Sequence, residues 1–375
     1  MRVEPPVPAA ALAAIRAPLE GAGAERADAP LLQPLNLLLD LAGEAMRARL
    51  FVVQAEGGAE ACLRPDFTVA IARRHIESGR AGGRYVYEGT AFRASAGADR
   101  PEEFLQVGLE LFGAQENVEA ADAEVAALAW RSASAGGRGD LTLWLGDVGL
   151  FGAFVDTLAL PSALAARLRR AAGRPRRLQT ELARVDEAAA PGGGTLAATL
   201  SGLSEAEAAA LLEEVWALAG VDPVGGRGPT EIAARLVRKA EAAQAPALTE
   251  GQAAAVRAFM EIADAPAPAF DAVRRLAGKR DKALQAALAA WDERLSRLSA
   301  TVDPERLRFA PALGHAFDYY DGLTFEVRSE ALGPDRSVAV GGRYDGLLAR
   351  LGGSGGGRAV GCMVRPWRAF SGGES

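Results

Sequence analysis

Residues 102–113 read EEFLQVGLELFG, and this stretch decides the fold. Every second residue from Leu105 to Leu111 is Leu or Val, which is the pattern of a β-strand with one apolar face. The opposite face carries Gln106 and Glu110 on either side of Gly108, whose missing side chain leaves room for something else. We therefore predict a strand with one core-forming face and one face that presents polar groups to a site.

Around this strand, the composition separates the chain into three blocks. Residues 1–160 mix helical and strand patterns, residues 161–300 are nearly all helical, and residues 301–375 return to strands. Strands on both sides of a helical block favour one mixed sheet interrupted by an insertion over two sheet domains in series. The predicted organisation is a core formed by residues 1–160 and 301–375, with residues 161–300 as a helical insertion.

Hydrophobic periodicity predicts the individual elements. A helical period is found over Leu31–Leu50, Leu203–Leu218, Glu231–Ala243 and Ala283–Leu298. Short apolar runs predict strands at Leu50–Gln54, Arg84–Glu88, Phe104–Phe112, Leu141–Val148, Leu307–Leu313, Leu323–Arg328, Ser337–Val340 and Ala359–Val364. Glycines predict turns between the last strands, at Gly341-Gly342 and Gly352–Gly357.

The composition disfavours several classes of protein. Of the 375 residues, 49% are hydrophobic and 24% are charged, so the chain can bury a sizeable core. Its 42 Lys and Arg residues against 48 Asp and Glu give a net charge of −6, which argues against a surface built to grip nucleic acid. Two cysteines and two histidines are too few for a Cys/His metal site or a disulfide framework. We find no signal peptide or membrane span, and we expect a cytoplasmic protein without a metal.

Two segments of the first block carry residues that suit a charged ligand. In LRPDFT, residues 63–68, Asp66 and Thr68 offer a carboxylate and a hydroxyl two positions apart, which suits a primary ammonium group. The alternative is an ordinary turn with a local hydrogen bond from side chain to backbone. Arg93 stands at a loop entrance between two predicted strands, where it could bind a phosphate or a carboxylate. The alternative there is a solvated charge.

Two segments of the third block suggest the wall of a ligand pocket. Tyr319 and Tyr320 precede a glycine turn and could enclose a small ligand, or they could lie on opposite faces of a strand. In GGRYDGL, residues 341–347, the glycines allow a ligand to approach the backbone closely. This segment is not a phosphate-binding P-loop, because no Gly-Lys-Ser/Thr sequence follows.

The catalytic core of class II histidyl-tRNA synthetases resembles this chain in five segments, in the same order: LRPDFT, YEGTAFR followed by EEFLQVGLELFG, FDYYDGLTFEV, GGRYDGLLARLGG and AVGCMV. The resemblance covers most of residues 30–113 and 307–370. It implies an α+β fold with a mixed, mainly antiparallel sheet flanked by helices, and a helical insertion at residues 161–300. Gln33–Leu35 is similar to the first motif of that class, which forms the dimer interface.

The same resemblance implies a pocket for histidine. The substrate amine would bind Asp66 and Thr68, and a loop at Gly341–Gly346 would close the pocket. The other matching positions would contact the amino acid or line the side of the imidazole. The histidine-binding residues implied by the resemblance are Asp66, Thr68, Arg93, Gln106, Glu110, His315, Tyr319, Tyr320, Gly341 and Gly342.

The nucleotide half of the site departs from the synthetase pattern. Ser95 stands where the second motif has a Glu, so the adenine contact is lost. His315 replaces an arginine that is expected to stabilise the charge developing during adenylation. In the third motif, Arg365 replaces a glycine that lets the nucleotide approach, and Trp367 replaces an acidic residue, whereas Arg368 is retained.

The sequence ends at Ser375, just after the third motif, and we therefore expect no anticodon-binding domain. A kept histidine pocket, a damaged nucleotide site and no anticodon-binding domain together resemble the ATP phosphoribosyltransferase regulatory subunits, a family of synthetase paralogues. This resemblance implies a non-catalytic subunit without a cofactor, which partners the short catalytic ATP phosphoribosyltransferase and conveys feedback inhibition by L-histidine. It also implies a homodimer within a hetero-oligomer, with no role for tRNA or a membrane.

Two other functions stay open at this point. Arg93 and Arg368 are also expected in a truncated histidyl-tRNA synthetase-like enzyme that adenylates histidine. An RNA-binding module is the third function, and the acidic balance of the chain disfavours it.

Overall fold

The computed structural model of the chain describes residues 1–54, 58, 60–95, 100–113, 115–171, 178–183, 206–207, 210–211, 214, 247–277, 282–313, 319–353 and 357–373. The chain divides into two compact units. One comprises Met1–Leu158, Ala171–Pro175 and Ala255–Ser375, and the other comprises Ala159–Arg170 and Arg176–Ala254. Within the described ranges, no helix is both long and apolar enough to cross a lipid bilayer.

Eleven strands are found in the described residues. They are β1 (Glu25–Arg26), β2 (Leu32–Pro34), β3 (Val52–Gln54), β4 (Glu60–Leu63), β5 (Gly82–Phe92), β6 (Glu103–Gly113), β7 (Leu141–Asp147), β8 (Leu307–Phe309), β9 (Leu323–Ser329), β10 (Ala339–Arg343) and β11 (Arg358–Val364). Eight of them form one sheet in the order β1-β5-β6-β11-β10-β9-β7-β8, and β2-β4-β3 form a small second sheet. In the large sheet only the outermost pairs, β1 with β5 and β7 with β8, are parallel. The predicted mixed, mainly antiparallel sheet is confirmed.

Helices make up much of the rest of the described residues. They are α1 (Ala9–Glu20), α2 (Leu35–Ala42), α3 (Thr68–Glu77), α4 (Val118–Ser134), α5 (Val148–Thr157), α6 (Ser162–Ala171), α7 (Glu250–Met260), α8 (Pro266–Ala277), α9 (Lys282–Leu298), α10 (Asp345–Arg350) and α11 (Pro366–Ala369). Residues 178–183 are also helical. The helix predicted at Ala283–Leu298 is confirmed as α9, whereas the helices predicted at Leu203–Leu218 and Glu231–Ala243 lie largely or wholly outside the described residues.

The hairpin of β5 and β6 is the longest strand pair of the large sheet. Its register places Tyr87 opposite Gly108 and Tyr85 opposite Glu110. The room that the sequence indicated at Gly108 is filled by Tyr87, because a side chain at Gly108 would collide with the Tyr87 phenol. Val107, on the other face of β6, is buried and lies beside Leu19 of α1. Both faces of β6 are therefore covered, and not only the predicted Leu/Val face.

A buried ionic network fixes β10 to two helices. Asp122 of α4 is fully buried and accepts hydrogen bonds from Nε of Arg294 on α9 and Nε of Arg343 on β10, each at 2.8 Å. The second carboxylate contact of Arg343 is with Asp345, at 2.8 Å. A buried carboxylate held between two guanidinium groups ties α4, α9 and the end of β10 together. The network therefore fixes the position of Tyr344, the residue that follows Arg343.

Two local predictions were wrong. The predicted helix at Leu31–Leu50 is shorter, because Gly43 adopts φ 85 and ends α2 at Ala42, after which Glu44–Arg49 forms a 3₁₀ helix. The predicted turn at Gly341-Gly342 is instead the middle of β10. Glycine is required there for close packing between strands and not for a turn.

We expect Asp122→Ala to destabilise the fold by about 3 kcal/mol or more, because it leaves two buried arginines without their shared carboxylate. The matched control is Glu124→Ala on the same helix, which removes only a partly exposed ion pair with Arg84 and should cost less than about 1 kcal/mol. Urea unfolding followed by tryptophan fluorescence measures both. Equal effects of the two substitutions would show that the network does not stabilise this unit.

Candidate functional site

A cavity of about 720 Å³ opens beside β6 and β11. Five of the residues predicted to bind histidine line it directly: Asp66, Thr68, Arg93, Tyr319 and Tyr320. Gln106 and Glu110 are fully buried on β6, on the face that bears this cavity. The structure therefore brings together residues that lie up to 254 positions apart in the sequence, while His315 lies outside the described residues.

Asp66 and Thr68 are placed by the start of α3. Helix α3 begins at Thr68. The ring of Phe67, the residue between Asp66 and Thr68, stacks on the ring of Tyr87 with the ring centres 4.6 Å apart, and this contact anchors the start of the helix on the sheet. Asp66 is buried, and neither of its carboxylate oxygens has a well-formed hydrogen bond within the described residues. Burial raises the pKa of Asp66, although the charge of Arg93 and the amides of Thr68 and Val69 favour its ionised form. A buried carboxylate in this state is a strong acceptor for a ligand that carries N–H groups.

Glu110 is the most constrained group of the site. Its carboxylate accepts a hydrogen bond from Oγ1 of Thr68 at 2.7 Å and a second from the hydroxyl of Tyr344. Burial raises the pKa of Glu110 to about 8, while the hydrogen bonds from Tyr344 and Thr68 act in the opposite direction. The carboxylate lies directly against Gly361 of β11, where any side chain would collide with it.

Gln106 is fully buried, and neither atom of its side-chain amide has a hydrogen-bond partner among the described residues. A buried amide without partners costs free energy, and a native structure usually provides it with a ligand or a water molecule. Asp66, which lines the cavity, and Gln106, on the strand beside it, together leave several buried hydrogen-bonding positions unfilled. These positions suit an amino acid better than an apolar ligand.

Tyrosine rings form one wall of the cavity. The rings of Tyr319 and Tyr320 are 4.8 Å apart, and Tyr344 lies 5.5 Å from the first and 6.1 Å from the second. Burial raises the pKa of all three hydroxyls, so they remain neutral hydrogen-bonding groups at physiological pH. The two adjacent tyrosines precede β9 and belong to one aromatic cluster. The alternative arrangement on opposite faces of a strand is therefore wrong.

Gly341 and Gly342 support this wall from β10. A side chain at Gly342 would collide with the Tyr320 ring and with the backbone of β9, and one at Gly341 would collide with Phe325. The predicted closing loop at Gly341–Gly346 is not a loop, because β10 continues to Arg343 and α10 begins at Asp345. The glycines act by letting aromatic rings pack closely on the strand.

The sequence reasoning did not assign Tyr344 and Tyr87 to the site. Both line the cavity, and Tyr344 donates to Glu110. The sequence signal for Tyr344 was its place at the end of GGRY, directly after a strand. Tyr87 could have been found from the hairpin register, which sets this large ring opposite a glycine.

Two of the residues that depart from the synthetase pattern, Ser95 and Arg365, line the cavity. Arg365 is buried, forms an ion pair with Glu4 and lies with its guanidinium carbon 3.7 Å from the centre of the Phe104 ring. Burial and the nearby charge of Arg368 lower the pKa of Arg365 to about 9. Arg93 donates a hydrogen bond to the carbonyl of Pro65 at 2.8 Å. A buried side chain thus occupies space where the synthetase motif has a glycine.

Comparison with known proteins agrees with this geometry. The family model for histidyl-tRNA synthetase matches residues 9–224 and 204–366. In solved structures, the chain is similar to an ATP phosphoribosyltransferase regulatory subunit/histidyl-tRNA synthetase from Bacillus halodurans, with a TM-score of 0.64, 21% identity and coverage of 97% of this chain and 78% of the other. A histidine–tRNA ligase subunit from Alicyclobacillus acidocaldarius gives a TM-score of 0.57 at 23% identity, with coverage of 98% and 95%. The fold is therefore that of the class II histidyl-tRNA synthetases.

The sequence relatives identify the family more specifically than the structural neighbours do. The ATP phosphoribosyltransferase regulatory subunit of Rhizobium meliloti is 37% identical over 341 residues, covering 87% of each chain. The protein of the same name from Brucella anthropi is 32% identical over 344 residues, covering 91% of each. With this identity along nearly the whole length, the chain belongs to the family of ATP phosphoribosyltransferase regulatory subunits.

Proposed function

We propose that this chain is a regulatory subunit of ATP phosphoribosyltransferase, acts in the first step of histidine biosynthesis, and has no catalytic activity of its own. It would assemble with the short catalytic subunit and make the activity of that subunit sensitive to L-histidine. One observation carries the proposal: buried polar groups of Asp66 and Gln106 lack well-formed hydrogen bonds among the described residues, while Arg365, which lines the same cavity, is held there by Glu4. This combination supports recognition of an amino acid without its activation.

L-histidine fits the chemistry of the pocket. Its ammonium group would bind the buried carboxylate of Asp66, which has no well-formed hydrogen bond among the described residues, and the hydroxyl of Thr68. Its imidazole would lie beside the tyrosine wall, within reach of Glu110, which is a hydrogen-bond acceptor when ionised and a donor when protonated. Arg93, at the border of the same cavity, offers a guanidinium group to the carboxylate of the ligand.

Feedback inhibition requires more than binding. Histidine shifts the equilibrium between an active and an inhibited assembly only if its affinity for the two differs. Tyr344 connects the pocket to the rest of the unit, because it follows Arg343, which the buried Asp122 network holds. We infer that a displacement of Tyr344 by the ligand would be transmitted through this network to α4 and α9.

The competing function is adenylation of histidine by a synthetase-like enzyme. Arg93 and Arg368 support it, since both are retained from the synthetase motifs and both line the cavity. The geometry disfavours it because Arg365 covers Phe104, and the side chain of Arg368 donates to the carbonyl of Ser337 at 3.1 Å. An enzyme that must bind ATP in this half would have to displace a buried ion pair.

An exposed apolar surface supports the expected homodimer. Four apolar residues on or beside the small sheet are exposed by 38–51%: Leu31, Leu32, Val52 and Val53. β2 and β3 lie on either side of β4, so these residues are on or next to the two outer strands of this sheet. Exposed apolar groups gathered in this way are typical of protein–protein interfaces. We call this set the small-sheet patch and propose that a second copy of the chain covers it.

In the first test, the chain is co-purified with a short catalytic ATP phosphoribosyltransferase and the activity is assayed with and without L-histidine. We expect a stable complex, higher activity than that of the catalytic subunit alone, and inhibition by histidine. The Asp66→Asn variant should still form the complex but should need at least about tenfold more histidine for inhibition, because the charged partner of the ammonium is lost. Asp292→Asn, at an exposed position on α9, should behave as the unchanged chain.

Absence of a complex would contradict the regulatory role. Unchanged inhibition in Asp66→Asn would place the histidine sensor outside this pocket. ATP–pyrophosphate exchange that depends on histidine, measured on the chain without its partner, would instead support the adenylating enzyme.

A pH dependence follows from the buried carboxyl of Glu110. An unfolded Glu titrates near pH 4.5 and the folded one at about 8, so the folded state holds the proton more tightly. This group therefore contributes stability that is fully present below pH 4.5 and is lost as the pH rises through 8. Glu110→Gln keeps a hydrogen-bonding group without the charge. Between pH 5 and 8 we expect this variant to lose about 1–3 kcal/mol less stability than the unchanged chain.

Urea unfolding at several pH values between 5 and 8, without ligand, measures this difference. The matched control is Glu124→Gln on the exposed side of α4, which should follow the curve of the unchanged chain. Parallel curves for Glu110→Gln and the unchanged chain would show that Glu110 is already ionised throughout this range.

The homodimer is tested by light scattering on the purified chain without its partner. We expect a dimer for the unchanged chain and a shift toward monomer for Leu32→Glu, because a charge within the small-sheet patch must be desolvated on association. Val3→Glu is the control, since Val3 is 62% exposed but lies outside the patch. A monomeric unchanged chain, or equal effects of both substitutions, would assign the patch another role.

A further inference from the structure

Residues 2–4 lie along the start of β6, where β11 has already turned away. β11 pairs with only the last seven residues of β6, and beyond them Val3 forms a parallel bridge with Glu103. The backbone N–H of Glu103 donates to the carbonyl of Arg2 at 3.0 Å, and the N–H of Glu4 donates to the carbonyl of Glu103 at 2.8 Å. We call residues 2–4 the strap. It satisfies backbone groups of β6 on the side that β11 leaves open.

The side chain of Arg2 fastens the strap to both ends of the connection between β5 and β6. Its Nε donates to the carbonyl of Arg100 at 2.9 Å, and its Nη2 donates to the carbonyl of Ser95 at 3.1 Å. The same guanidinium lies 3.3 Å from the carboxylate of Glu102. Ser95 and Arg100 both line the cavity. Arg2 therefore holds two residues of the cavity wall by their backbone.

Glu4 fastens the strap to another part of the same wall. Its buried carboxylate forms an ion pair with Arg365 and accepts a hydrogen bond from the backbone N–H of Leu105 at 3.3 Å. Arg365 lines the cavity, and its guanidinium carbon lies 3.7 Å from the centre of the Phe104 ring. A buried guanidinium is costly without its carboxylate. The position of Arg365 therefore depends on whether the strap is in place.

Contacts continue from this wall to the predicted histidine pocket. The guanidinium carbon of Arg93 lies 5.5 Å from the centre of the Phe104 ring, so this ring contacts both Arg93 and Arg365. The Nε of Arg93 donates to the carbonyl of Pro65, the residue before Asp66, at 2.8 Å. The strap is thus connected to Asp66 by a continuous row of contacts, and every member of this row is a described residue.

A ligand can reach the pocket only if part of its wall moves. Asp66 and Thr68 line the cavity but are exposed by only 7% and 8%, which is too little for a whole amino acid to contact both. The tyrosine wall packs closely on strand glycines. The strap, in contrast, is followed by a segment of four residues before α1, and three of them are prolines, which have no N–H to donate. The wall held by the strap is therefore the part that opens at the lowest cost.

We propose that the docked strap keeps the cavity wall around Phe104 closed, and that its release lets L-histidine enter and leave the pocket. This inference rests on the proposed binding of histidine and adds the step that sets its rate. Arg2 and Glu4 are positioning residues, since they act through the wall and do not themselves line the cavity. Weakening the strap should therefore change the rates of entry and exit by the same factor and leave the affinity unchanged.

NMR titration of ¹³C-labelled L-histidine with the full chain measures the affinity and both rate constants. Arg2→Ala is the first variant, because this side chain is 40% exposed and its loss should spare the fold. We expect both rate constants to rise by roughly threefold to tenfold, with Kd unchanged within about twofold. Glu4→Gln should raise both rates further, because it breaks the buried ion pair. Arg297→Ala is the matched control: it removes an exposed ion pair on α9 and should change neither rate.

Two results would overturn the proposal. Unchanged rates in both strap variants would show that the strap does not control access. A weaker affinity caused by faster release alone would show that the strap shapes the bound site. If histidine does not bind the unchanged chain, the proposed function fails, and this outcome is distinct from both.

Hydrogen exchange followed by mass spectrometry tests the strap without any ligand. The N–H groups of Glu102, Glu103 and Leu105 all donate to the strap. In Arg2→Ala, peptides that contain them should exchange at least about threefold faster, while peptides from α4 should be unchanged. An equal increase over α4 would mean that the strap opens only when the whole unit unfolds, and no increase would mean that it does not protect β6. Either result would contradict a strap that opens separately.

Discussion

The buried carboxylate of Glu110 is the constraint on which the rest of the site depends. A carboxyl group without water must receive hydrogen bonds from the protein, and here Thr68 and Tyr344 supply them. The carboxylate also needs space, which Gly361 provides on the neighbouring strand. A single group on β6 therefore fixes the start of α3, the end of β10 and the residue type on β11.

The same logic explains why glycines and aromatic residues face one another across the sheet. Tyr87 lies over Gly108, Phe325 lies over Gly341, and the Tyr320 ring lies against Gly342. Each large ring occupies the volume that a side chain at the facing glycine would need, so the pocket wall packs closely without displacing the strand backbone. The strands carry these glycines because the rings require them. Substitution at either member of such a pair disturbs the pocket as well as the sheet.

Much of the fold could be predicted from local patterns, and the failures have a common physical cause. The alternation in β6 and the period of α9 are local properties, and both elements form where they were predicted. Gly341-Gly342 was assigned to a turn because a glycine pair lacks any local packing signal, whereas its partners, Phe325 and Tyr320, lie on other segments. The space at Gly108 was open only when β6 was considered alone. The sequence patterns singled out polar site residues and the resemblance assigned them to a histidine pocket, but the packing that positions them is a property of paired strands.

Arg93 acts on groups of opposite charge in the cavity, and this has a thermodynamic consequence. Its charge favours the ionised form of Asp66 and disfavours the charged forms of Arg49 and Arg365. A ligand carboxylate bound beside Arg93 would weaken both effects, because it would offset the charge that causes them. Any second ligand whose binding depends on those charges would then be coupled to the first, and each would change the affinity for the other by the same factor. A protein can convey information in this way without activating a substrate, because it needs only two sites and a shared charge between them.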